Sequence, residues 1–108
     1  MYKIYLDTTE RYKKSVKLVQ IEANEQKVIG TLDGDIDLVS AISELLEINS
    51  LKIKDIEIVE PNTGPGSFTG IKLGIVIANI LNWSNEKETI FTPNYGQEPN
   101  IQAPEIKP

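Results

Sequence analysis

The residues whose types and spacing could carry chemistry are concentrated in one short segment, Gly64-Pro65-Gly66-Ser67-Phe68-Thr69-Gly70. It falls between a strand pattern and a helix pattern, where backbone N–H groups can cradle an anion. Gly64, Gly66, Ser67 and Thr69 are the candidate anion-binding residues, joined by Asp7 from the end of the first strand. The segment is not a Walker A loop, because no glycine in it is followed five residues later by Gly-Lys. It also misses the dinucleotide fingerprint: Thr69 stands where the third glycine belongs, and no acidic ribose ligand follows on a second strand. Spacing alone leaves two readings open, an anion cradle and a capped turn that lets a helix and a sheet approach closely.

Composition narrows the chemistry further. The 108 residues include neither cysteine nor histidine. That excludes a disulfide framework, a Cys/His zinc site, a cysteine nucleophile and a Ser-His-Asp triad. Acid–base work would fall to Asp, Glu, Lys or Tyr, and no metal or cofactor is expected. A net charge of -5 disfavours direct contact with phosphate backbones. The one basic cluster, Arg11-Tyr12-Lys13-Lys14 with Lys17 nearby, is too short for a nucleic-acid patch and reads as a charged hairpin tip. The N-terminus has no apolar run of signal-peptide length. The best candidate span, Ile71 to Leu81, carries Lys72 and Asn79 and is too short to cross a bilayer. No membrane role and cytoplasmic residence are the resulting expectations.

The elements that must position the loop follow from periodicity. Lys3 to Thr8, Ser15 to Ile21 and Lys27 to Leu32 read as a three-stranded meander, with a turn at Asn24-Glu25-Gln26. Asp35-Ile36-Asp37 opens a helix whose apolar residues Leu38, Ala41, Ile42, Leu45, Leu46 and Ile48 fall at helical spacing, and Asn49-Ser50 ends it. Ile53 to Val59 is a fourth strand, and Pro61 to Gly66 a loop. Ser67 or Thr69 caps a second helix to about Trp83, apolar nearly all round, which requires burial on several sides or a partner. Thr89 to Thr92 is a short fifth strand. Residues 1–92 are thus one lobe, and Pro93 to Pro108 a proline-rich tail, extended and mobile unless bound. The fold class is α/β, a mixed sheet in the order β-β-β-α-β-α-β with two main helices.

GPGSFTG followed by IKLGIVIANIL resembles the TsaB (YeaZ) family, as do Ile4-Tyr5-Leu6-Asp7-Thr8-Thr9 and Ser15-Val16-Lys17-Leu18. The resemblance covers about residues 3 to 92 and implies one lobe of an actin/sugar-kinase/Hsp70-like fold. Its members are non-catalytic partners of TsaD, which transfers threonylcarbamoyl to the N6 of an adenosine in tRNAs reading codons that begin with A. The older label for the wider family is glycoprotease-like. The chain departs from the pattern at Lys72, where the family has Arg, at Glu60 to Thr63, and at Ile80 and Asn82, where Gly and Ala are common. It ends where a second lobe should begin, so a cleft between lobes is not expected. Asp7 then reads as a turn-capping residue.

The resemblance implies no enzymatic activity in this chain and a TsaD-like catalytic subunit as partner. It extends to a TsaE-like ATPase, to tRNA only through the complex, and to a homodimer when the chain is alone. The expected interface combines Leu38, Ala41, Ile42 and Leu45 on the first helix with Gly70, Gly74 and Ala78 on the second, a small-residue ridge repeating every four positions. That ridge could equally pack on the chain's own sheet. The alternative function is a small anion- or nucleotide-binding module using the glycine loop.

Overall fold

A computed structural model describes residues 1–94. Apart from Pro93 and Asn94, the expected tail lies outside the described residues. Strands β1 (Tyr2–Asp7), β2 (Lys14–Glu22) and β3 (Glu25–Gly34) are followed by helix α1 (Leu38–Ile48), strand β4 (Ile56–Pro61) and helix α2 (Phe68–Ser84). The sheet order is β3-β2-β1-β4. The first three strands form an antiparallel meander, and β4 joins β1 in parallel. This is the expected α/β lobe with its mixed sheet and two helices.

Period-two alternation sets the faces. Ile4, Leu6, Val16 and Leu18 are fully buried and form one core with Leu38, Ala41, Ile42, Leu45, Leu46, Ile56, Val59 and Ala78. Both helices therefore share one face of the sheet. Lys3, Tyr5 and Asp7, the alternate residues of β1, lie on the opposite face and are only partly buried. There Lys3 Nζ sits 2.8 Å from the Glu60 carboxylate.

Several boundaries differ from expectation for local reasons. The β2–β3 turn is Ala23-Asn24, with φ of 47° and 74°, and Glu25 and Gln26 already pair with Glu22 and Ile21. Two left-handed residues match the twist of the flanking strands. Of the two aspartates open as caps, Asp37 caps α1: its Oδ2 accepts from the Ser40 N–H at 3.3 Å and from Ser40 Oγ at 2.5 Å. Ile53–Asp55 is a 3-10 turn, where the Asp55 carboxylate accepts from the Lys52 N–H at 2.8 Å. The fourth strand thus starts at Ile56 and runs on to Pro61. Pro61 costs no ladder bond, because the next N–H, that of Asn62, donates to the Leu6 carbonyl at 2.7 Å.

The fifth strand is corrected outright: residues 89–92 do not join the sheet. The outer edge of β4 is already occupied. Asn82 Oδ1 accepts from the Val59 N–H at 2.8 Å, and Asn82 Nδ2 donates to the Val59 carbonyl at 2.9 Å. Asn85 Nδ2 donates to the Ile53 and Ile56 carbonyls, both at 3.0 Å.

Candidate functional site

The glycine loop lies where the C-terminal end of β1 meets the N-terminus of α2. Thr8 is the pivot, one of only two buried polar residues among those described. Its Oγ1 donates to the Gly70 carbonyl at 2.5 Å. A Cβ on Gly70 would collide with the Thr8 carbonyl, and a Cβ on Gly74 with Thr8 Oγ1. A Cβ on Gly66 would come within 2.6 Å of Thr9 Cβ. The four-residue glycine repeat thus exists because one threonine turn presses against the first two turns of α2.

This corrects the expected partner interface. Gly70, Gly74 and Ala78 are buried against the chain's own sheet, as are Leu38, Ala41, Ile42 and Leu45 on α1. They are the inward faces of the helices, and the protein itself fills the space beside them.

Three of the loop's backbone donors are bonded within the chain. The Ser67 N–H donates to the Thr9 carbonyl at 2.8 Å, and the Gly64 N–H to Asn62 Oδ1 at 3.1 Å. The Gly70 N–H donates to Ser67 Oγ at 3.3 Å, which makes Ser67 the helix cap. Gly64 has a φ of 109°, and a side chain there would strike the Asn94 carbonyl. Thr69 is exposed on the first turn of α2. Gly64, Gly66 and Ser67 thus form a close-packed capped turn.

Asp7 is engaged in the same way. Its Oδ1 accepts from the Thr9 N–H at 3.0 Å and Thr9 Oγ1 at 2.7 Å, and its Oδ2 from Asn62 Nδ2 at 3.4 Å. Partial burial pushes this carboxyl up, but those hydrogen bonds and the Lys17 charge outweigh it and hold the group below the ordinary aspartate range. Burial raises the Tyr5 phenol, and the negative charges of Asp7 and Glu60 raise it further. The described residues contain no group of three or more acids able to hold a metal ion.

The feature that sequence reasoning did not place is on the outside of α2. Leu73, Val76, Ile80 and Trp83 fall at i, i+3, i+7 and i+10 and are all exposed, Trp83 at 78%. Val39, Ile42, Ser43 and Leu46 of α1, Leu81 and Ser84 of α2, and Ile53 line a groove of about 240 Å³ between the two helices. Only once Gly70, Gly74 and Ala78 are known to face inward do Leu73, Val76, Ile80 and Trp83 fall on the outward side.

A mixed four-stranded sheet with two helices on one face and a glycine turn under the second helix defines a YeaZ-like lobe. Residues 36–93 match the family described as TsaD, tRNA N6-adenosine threonylcarbamoyltransferase, and the chain belongs to that family. A YeaZ from Pseudomonas aeruginosa has the same fold, with a TM-score of 0.65 at 20% identity over 80% of this chain and 40% of that one. So has an uncharacterized protein with similarity to peptidase YeaZ from Pseudomonas aeruginosa, with a TM-score of 0.67 at 18% identity over 85% of this chain and 43% of that one. The chain spans about two-fifths of the length of these solved relatives. No curated protein matches the sequence.

Proposed function

We propose that the chain is a non-catalytic docking subunit in tRNA N6-threonylcarbamoyladenosine (t6A) modification, binding a TsaD-like catalytic subunit in the cytoplasm through the outer face of α2. The observation that carries this reading is the exposed stripe Leu73, Val76, Ile80 and Trp83. A contiguous apolar stripe on a small acidic protein marks an interaction surface. Its helical spacing and the adjoining groove suit the apolar face of another helix. Asp7, the acid among the candidate loop residues, is committed to capping its own turn, which supports a structural role over a catalytic one.

Co-expression of the chain with a TsaD-like protein tests the reading. The expected result is a stable heterodimer that the double change Ile80→Glu, Trp83→Glu abolishes while the free chain stays folded. A complex that survives both changes overturns the assigned face. A chain that forms only homodimers through this face overturns the assigned partner.

A further inference from the structure

Residues 87–94 lie alongside β4 without pairing to it. At one end Lys87 Nζ sits 3.8 Å from the Glu57 carboxylate. At the other the Asn94 N–H donates to the Thr63 carbonyl at 2.6 Å. The segment therefore runs in the same direction as β4, seven residue steps against six, a near match for a parallel neighbour. Yet its middle is bonded elsewhere. The Phe91 N–H donates to Asn79 Oδ1 at 2.9 Å, and Asn79 Nδ2 donates to the Phe91 carbonyl at 3.1 Å. One helical turn further on, Asn82 makes the equivalent two-bond contact with Val59.

Each amide thus satisfies one backbone donor and one acceptor, as a pairing strand would. Asn82 is 1% exposed, so its amide is desolvated, and both its oxygen and its nitrogen are bonded to the edge of β4. We propose that Asn79 and Asn82 form a side-chain latch that holds residues 87–94 off the outer edge of β4, and that these residues pair there as a fifth parallel strand when the Asn82 amide is removed. The energetics permit this exchange: two backbone bonds would replace the two bonds lost at Val59, the two Asn79–Phe91 bonds would be given up with the half-buried Asn79 amide returning to water, and an unpaired strand edge seeks a partner. The open groove of about 540 Å³ between Asn79, Ile80 and Trp83 of α2 and Lys87 to Ile90 belongs to the latched arrangement.

NMR on the full chain tests the latch. In the unaltered protein the Asn82 side-chain amide protons should exchange slowly, with no cross-strand contacts between Val59 and residues 89–92. In the Asn82→Ala variant the Val59 amide should stay protected, and cross-strand contacts to residues 89–92 should appear. Such contacts already present in the unaltered chain would overturn the proposal. So would a folded Asn82→Ala protein whose Val59 amide exchanges more than a hundredfold faster without any new pairing. If Asn82→Ala does not fold, Asn79→Ala decides. Exchange at Phe91 should then rise at least tenfold with Val59 unchanged, and a Phe91 amide that keeps its protection refutes the latch.

Discussion

Helix α1 turns Leu38, Ala41, Ile42, Leu45 and Leu46 onto the sheet and leaves Ser40, Glu44 and Glu47 in water. Helix α2, on the same face of the same sheet, does nearly the reverse with its side chains. It buries Gly70, Gly74, Ala78 and Asn82 along with Ile71 and Ile75, and exposes Leu73, Val76, Ile80 and Trp83. An amphipathic helix such as α1 is largely completed by its own chain, with Val39 and Ile48 left exposed. One that spends small and polar residues inward and large apolar residues outward is only half completed. Burying each large side chain is worth roughly 1.5–3 kcal/mol. Leu73 and Val76 are already partly covered, so Ile80 and Trp83 have the most to gain from a partner, and that gain must offset the cost of association.

The sharpest way to break this contrast is to enlarge the inward face of α2. Gly74→Leu forces a side chain into Thr8 and should cost about 3 kcal/mol or more, read as a lower urea midpoint. An unchanged midpoint would mean that the small residues are not the packed face. On the outer face, Ile80→Glu with Trp83→Glu should leave the midpoint of the free chain within about 0.5 kcal/mol. The same pair should weaken docking to a TsaD-like partner by roughly a hundredfold or more, since central aromatic anchors often carry about 2 kcal/mol each. On α1 the matched change, Ile42→Glu, should unfold the chain, because Ile42 is buried in the core. Equal tolerance at Ile42 and Ile80 would erase the contrast.

A smaller effect sharpens it. Thr8→Val keeps the shape beneath Gly70 and removes the O–H donor to the Gly70 carbonyl. The expected loss is about 1–2 kcal/mol, with Thr8→Ser restoring most of it. No loss in Thr8→Val would show that glycine packing alone seats α2.

The fold was legible where the pattern is local. Alternation in β1 and β2 and helical spacing in α1 identify their elements and inward faces without any long-range information. The glycine turn was legible as a strand-to-helix junction, and its resemblance to YeaZ pointed to the right lobe. What could not be read was which face of α2 turns inward. Nearly every position of that helix is apolar or small, so periodicity gives no direction. The answer depends on Thr8, 62 residues away from Gly70 in sequence. The fifth strand failed for a related reason. The sequence Thr89 to Thr92 suits a strand, but Asn82, 23 residues beyond Val59, competes for its edge. Amides spaced three apart at Asn79, Asn82 and Asn85 in an apolar helix were the available warning, since buried amides must find partners.

The smallest expected effect separates the two ends of the site through pH. Asp7 has its carboxyl held low by the Thr9 hydroxyl and N–H, the Asn62 amide and the Lys17 charge, despite the opposing effect of burial. The folded chain therefore binds a proton at Asp7 less readily than the unfolded chain does. The stabilisation this provides is fully present above the unfolded aspartate value of about 3.9, and is lost as pH falls through the lower folded value. Asp7→Asn removes that titration and a charge partner of Lys17. At neutral pH the variant should be slightly less stable than the parent. The difference should shrink as the pH is lowered below about 4, because the parent then loses what the variant never had. Thermal melts of both proteins across this range give the comparison directly. A gap that stays constant down to pH about 2 would mean that the Asp7 hydrogen bonds do not depend on its charge. The outer stripe of α2 contains no titrating group, so docking through it should not follow the Asp7 transition as long as the chain stays folded.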